Sequence, residues 1–474
     1  MASANSLRCL MRPAMAPRIQ PVVLATVSFS TTVAAAAPPA VKSRRDLPAK
    51  MKKTYKKRGN IVPVRKPNPG ERKAFRKRIQ LSNNSALPVE GLGALEAGNM
   101  ALDESAGKVF SVPDHVVDQL RALEAFKTTQ SWNLFRRPHV LLRKEAVELM
   151  KKLEASADKK EALKCVLTGS KLSGKSMAML QAMAYALLNN WVVFHIPEGK
   201  LAHMNHLGSL VLTLSGQDLT NGNTEYSPIP DTEPMQFAQP VYCLKMIQNL
   251  YRANRAVLEK LQLQKDWSRF TNLKQGASLG DLALSAKEAE YAWPTLNALW
   301  TELTLPGRPP VLFALDGLAH INKISAYRDP SFKEVHAHEL TLVRTFVDAL
   351  SGKTTLPNGG AVIAATSENN SHRHPSQELV LAQLEAGQAG QWVPKPNPYE
   401  RKYDERVYES LKNTWVLRVD GVSKDEAMAL MEYWGASGLV RSVLTSRTVS
   451  EKWTVGGHGI VGEMERATLL QLRM

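Results

Sequence analysis

Thr168-Gly169-Ser170-Lys171-Leu172-Ser173-Gly174-Lys175-Ser176 fits the spacing Gly-x4-Gly-Lys-Ser/Thr at every fixed position. A short apolar run, Leu163 to Leu167, precedes it, and the helix-forming run Met177 to Leu188 follows. Strand, glycine loop and helix in that order is the context this motif needs. A nucleotide polyphosphate carries charge that must be met without bulky side chains. Backbone N–H groups at the positive end of a helix meet it. The reading therefore assigns Gly169, Ser170, Lys171, Leu172, Ser173, Gly174, Lys175 and Ser176 to a nucleotide, with Lys175 on the outer phosphates and Ser176 on Mg2+. The fold expected is α/β, a P-loop NTPase with a parallel sheet flanked by helices.

Working outward, the next informative run is Pro309 to Asp316, apolar until it ends in a carboxylate. Such a fold needs a carboxylate at the end of a neighbouring strand to hold the metal's hydration shell, so Asp316 is the second expected metal residue. Many ATPases place a glutamate next to polarise water, whereas here Gly317 follows, which argues for slow hydrolysis or none. Asn322-Lys323-Ile324-Ser325 imitates a guanine-reading motif but lacks its aspartate and lies too near Asp316. The base is therefore left open, GTP or GDP with ATP possible. Further strands are expected at Trp191 to Pro197, Gly360 to Ser367 and Trp415 to Val419. His195 in the first of these reads as a satisfied core residue. Thr366, Ser367 and Asn369 lie either at a γ-phosphate-sensing position or simply at a capped strand end. A helix is expected from Glu334 to Gly352.

The 474 residues divide by composition. Residues 1–37 carry Arg8, Arg12 and Arg18, many Ala, Ser and Thr, and no acid, which reads as a mitochondrial transit peptide rather than a membrane anchor. Residues 38–112 read as a basic disordered arm followed by a Gly/Ala/Ser-rich linker. The first 80 residues hold nineteen Lys and Arg against Asp46 and Glu71, leaving 42 charges of each sign beyond them, so the net +17 belongs to the N-terminal tail. Lys52, Lys53, Lys56, Lys57, Arg58, Arg76, Lys77 and Arg78, with Tyr55 and Phe75 interleaved, suit RNA phosphates and base stacking. A solvated tail or a nuclear address is the alternative reading. Residues 113–434 are the expected nucleotide domain, with a helical insertion at about 200–308, and residues 435–474 a small C-terminal lid in which Arg466 could approach the phosphates. Cys9, Cys165 and Cys243 lie far apart and without metal spacing, which suits a reducing compartment.

The phosphate loop, the stretch Asn190 to Pro197, the Leu315-Asp316-Gly317 strand end and the stretch Phe135 to Glu145 together carry a resemblance. They resemble the mitochondrial small-subunit ribosomal proteins of the death-associated protein three family, in a fungal-type version, over roughly residues 113–470. The resemblance implies an AAA-like P-loop fold that serves as a structural subunit in the head of the small ribosomal subunit. It also implies guanine-nucleotide binding, with Mg2+ at Ser176 and Asp316. The implied partners are small-subunit rRNA, ribosomal proteins and large-subunit bridge contacts, in the mitochondrial matrix and with no membrane. Leu172-Ser173 stand where animal members have Gly-Thr. An active mitochondrial NTPase and a GTP-dependent switch on the ribosome remain alternatives.

Overall fold

Five segments of this chain are mainly apolar runs, as strands of a sheet covered on both sides are. In the computed structural model, which describes residues 79–197, 220, 225–230, 232–269, 271, 273, 276–367, 373–440 and 442–470, these segments form one parallel sheet. The strands are β1 (Leu163–Thr168), β2 (Val192–Ile196), β3 (Val311–Asp316), β4 (Gly360–Ala365) and β5 (Trp415–Arg418). Their order across the sheet is β5-β1-β4-β3-β2. The register aligns Ile363 with Cys165 on one side and Ala314 on the other, and Phe194 with Phe313.

Side chains alternate across a strand, so each strand contributes to two cores. Val166, Phe194, Phe313, Val362 and Val416 face the core built with helices Pro240–Leu258, Ala292–Leu303 and Thr341–Ser351. Cys165, Leu167, Val193, Ala314 and Ile363 face the core built with helices Lys144–Lys159 and Lys175–Leu188. Burial pushes the Cys243 thiol up to about 12 and that of Cys165 upward as well, so neither buried thiol carries thiolate chemistry.

Three expectations need correction. The stretch expected as a linker contains structure: Leu95 and Met100 are fully buried, and Val109–Ser111 pairs antiparallel with His139–Leu141. Its few apolar residues sit between glycines, so no periodicity reveals them. The helix expected from Glu334 begins only at Thr341, because Glu334–His336 pairs with Ile324–Arg328 and a single 3-10 turn follows. The helix expected to close the nucleotide domain packs with the C-terminal segment instead. Helix Lys424–Ala436 shares a third core with Phe135, Leu141, Val449, Met464 and Leu469, rather than with the sheet.

The insertion is tied down by one buried ion pair. Glu302 accepts from Arg308 Nη2 at 2.6 Å, from the backbone N–H of Lys265 at 2.7 Å and from Trp267 Nε1 at 3.0 Å. Among the described residues, no helix is long and apolar enough to cross a membrane.

Candidate nucleotide site

The loop from β1 into helix Lys175–Leu188 has a backbone that side chains would forbid at two positions. Gly169 has φ +130°, and a Cβ there would lie 2.1 Å from the carbonyl oxygen of Val419, just past β5. Gly174 has φ +111° and caps the 14-residue helix. Only glycine enters that region of backbone space without strain. Leu172 is the exception, a branched residue at φ +63°. Its carbonyl accepts from the N–H of Gly462 at 3.2 Å, so the C-terminal segment holds the loop from outside.

Within this frame Lys175 is buried. Its ammonium donates to the carbonyls of Gly169 at 2.5 Å and Ser170 at 2.7 Å. Ser173 is fully buried, and its hydroxyl has no hydrogen-bond partner among the described residues. Ser170, Leu172, Gly174 and Ser176 are half-buried, whereas Lys171 is exposed. The first N–H groups of a helix have no partner within it. These features suit a phosphate group: the N-terminal end of a helix, a buried ammonium on the loop and an orphaned hydroxyl.

Residues that the motif does not include hold the loop in place. Arg143 Nη1 donates to the carbonyl of Ser173 at 2.9 Å, while Nη2 donates to Glu145 Oε1 at 2.9 Å and to the carbonyls of Asp420 at 2.8 Å and Gly421 at 3.2 Å. One guanidinium thus joins the loop to the segment after β5. Burial raises the Glu145 carboxyl above its ordinary range, and Arg143 opposes that rise. Thr168 donates to Glu385 Oε1 at 2.5 Å, and the other oxygen of Glu385 takes Arg418 Nη1 at 3.2 Å.

Asp316 ends β3. Its strand is not beside β1, because β4 lies between them, which sets Asp316 about 10 Å across the sheet from the β1 strand. Its carboxylate is also engaged, accepting from Lys127 Nζ at 2.5 Å with only 5% of the Asp316 side chain exposed. The loop residues therefore fit a phosphate group, and the Asp316 carboxylate is paired with Lys127. His195 is a core residue: Leu123 O lies 2.8 Å from its Nδ1, and burial holds its pKa below 6.5. Asn322 is buried among side chains, bonded to Gln377 and His338. Thr366 donates to the carbonyl of Leu167 at 3.1 Å, closing the β1–β4 junction, and Arg466 pairs with Glu463 at 2.8 Å on the surface. Asn369 and the arm residues Lys52, Lys53, Lys56, Lys57, Arg58, Arg76, Lys77 and Arg78 lie outside the described residues. Sequence reasoning missed Lys127, Arg143 and Glu385, which lie far from the loop in the chain and carry no local motif.

A family model described as mitochondrial ribosomal death-associated protein 3 matches residues 140–467. The chain is 45% identical to the small ribosomal subunit protein mS29 of Neurospora crassa over the whole of both chains. It is 24% identical to the protein of that name from Schizosaccharomyces pombe, covering 71% of this chain and 66% of the relative. For that of Mus musculus the identity is 21%, covering 58% of this chain and 68% of the relative. With a family model spanning well over half of its length and a full-length relative at that identity, this chain belongs to the mitochondrial ribosomal death-associated protein 3 family.

Proposed function

We infer that this chain is a structural component of the small subunit of the mitochondrial ribosome, and that a purine nucleotide, GTP or GDP, props up its core with slow or no hydrolysis. The observation that carries the ribosomal reading is the full-length similarity to a small ribosomal subunit protein. Its partners are then small-subunit rRNA and ribosomal proteins, with the basic arm of residues 42–78 on RNA phosphates. Residues 1–37 act as the transit peptide.

The nucleotide reading is supported by the two positive-φ glycines, the buried Lys175 and the orphaned Ser173 hydroxyl. The strand order, with β4 between the loop strand and the Asp316 strand, supports an AAA-like arrangement. In this reading the loop amides and Lys175 bind phosphate, Arg143 keeps the loop in register, and the segment around Gly462 covers it. With Gly317 after Asp316, no carboxylate follows to orient water, so the ligand persists. A ligand that binds only the folded chain stabilises it, by about 2.7 kcal/mol at a hundredfold excess over Kd.

Two measurements test this. In sucrose gradients of mitochondrial lysate the protein should sediment with the small ribosomal subunit, and its absence from that peak would end the ribosomal reading. Mass spectrometry of the native protein should find a guanine nucleotide that Lys175→Ala loses. A nucleotide-free wild type that melts at the same temperature with and without GDP would end the nucleotide reading.

A further inference from the structure

We infer that the Lys127 ammonium stands on Asp316 in place of a divalent cation, and that the site takes the phosphates of a nucleoside di- or triphosphate without magnesium. This deepens the nucleotide reading above and rests on it. Lys127 Nζ lies 2.5 Å from Asp316 Oδ2, with the carboxylate almost wholly buried.

The lysine arrives there on a strap, residues 123–132, that crosses the strand ends. At one end the carbonyl of Leu123 meets His195 of β2 at 2.8 Å. At the other, Gln130 Oε1 accepts from the backbone N–H of Lys127 at 2.9 Å and from Trp132 Nε1 at 2.6 Å. The Gln130 amide nitrogen sits 3.4 Å from Met177 Sδ, in the first turn of the phosphate-loop helix. Phe126 packs edge-on against Trp132 with ring centroids 5.3 Å apart. The strap is therefore fixed on both sides of Lys127, and its backbone is held near both the carboxylate and the loop.

A positive charge at a buried carboxylate repels a second cation, and with the Asp316 side chain 5% and the Lys127 side chain 23% exposed, water screens the two only in part. Magnesium could bind Asp316 only by displacing Lys127 into a less favourable environment. An ammonium has three donors, so Lys127 can keep Asp316 and still offer a hydrogen bond to a phosphate oxygen. Together with Lys175 it supplies two positive charges to the site, which covers the charge-neutralising part of a metal's role but not activation of water. The bound nucleotide is then a permanent structural ligand.

The test is the affinity of the full chain for fluorescent N-methylanthraniloyl GDP and ADP, measured in magnesium and in EDTA. Manganese(II) binding to the nucleotide-loaded protein is followed in parallel by electron paramagnetic resonance. The wild type should bind the tighter probe with a Kd that differs by less than about threefold between magnesium and EDTA, and should show no tightly held manganese. Lys127→Met should weaken binding in EDTA by at least about tenfold, and magnesium should restore it. The wild-type comparison needs no variant, so misfolding of Lys127→Met does not spoil it. A wild-type affinity that collapses by about a hundredfold in EDTA, or manganese held tightly by the wild type, overturns the assignment while leaving nucleotide binding intact. Binding of neither probe under either condition overturns it together with the reading it rests on.

Discussion

Arg143→Met is the sharpest perturbation the site offers, because one side chain holds two parts of the chain that are far apart in sequence. The guanidinium side chain is 9% exposed, and its four acceptors are the carbonyls of Ser173, Asp420 and Gly421 and the carboxylate of Glu145. Removing one partner of a buried charged network costs roughly 3–5 kcal/mol. Two features pull the figure to the lower end: the Glu145 side chain is 25% exposed and can regain water, and methionine keeps the apolar stem. A loss of about 3 kcal/mol corresponds, for a folded body of this size, to a melting temperature lower by roughly 3–5 °C. Nucleotide affinity should fall with it, because the Ser173 carbonyl is part of the loop. Arg143→Lys should recover only part of both, since a single ammonium cannot span acceptors that a planar fork reaches on two sides. The assay is thermal melting by circular dichroism with and without GDP, alongside a binding titration. A melting temperature within about 1 °C of wild type would refute the reasoning, and so would an unchanged affinity in a folded variant.

Gly169→Ala should abolish nucleotide binding, because its Cβ would meet the Val419 carbonyl at 2.1 Å and alanine disfavours φ +130°. Calorimetric titration with GDP checks this, and wild-type binding would contradict it. Glu302→Gln should destabilise the chain by roughly 3–5 kcal/mol, because an amide can place a donor against Arg308 Nη2, which sits 2.6 Å from the carboxylate. Urea unfolding measures it, and a shift under about 1 kcal/mol would count against the pair's importance. Burial lowers the pKa of His139 and His338 to about 3 and that of His336 to about 4. Above pH 6.5 these groups are neutral in both states. Below it the unfolded chain takes protons first, so stability is lost progressively from about 6.5 towards 3–4, at up to about 1.4 kcal/mol per pH unit for each histidine. Melting temperatures should therefore fall from about pH 6.5 to 5, and His338→Gln should flatten the slope; a flat wild-type profile would sink the argument.

The sequence by itself determined the strand–loop–helix unit, since Gly169, Gly174 and Lys175 stand within a few residues of one another and their spacing is set by local backbone geometry. It also determined all five strands of the sheet, because strands of a sheet covered on both faces are mainly apolar runs. Its account of 82–112 failed for the opposite reason: Leu95 and Met100 are isolated apolar residues whose burial depends on a surface supplied by other parts of the chain. Only the tertiary structure decided that β4 separates β1 from β3, since strand order depends on helix packing and crossover lengths that no motif records. It likewise decided that Lys127 reaches Asp316 and that Arg143 joins Ser173 to Gly421, contacts made between residues 189 and 30 to 278 positions apart respectively. A local pattern specifies backbone shape because neighbouring dihedrals alone determine it. The electrostatic partner of a buried charge is whichever group the folded chain brings within about 4 Å, and that is settled by packing.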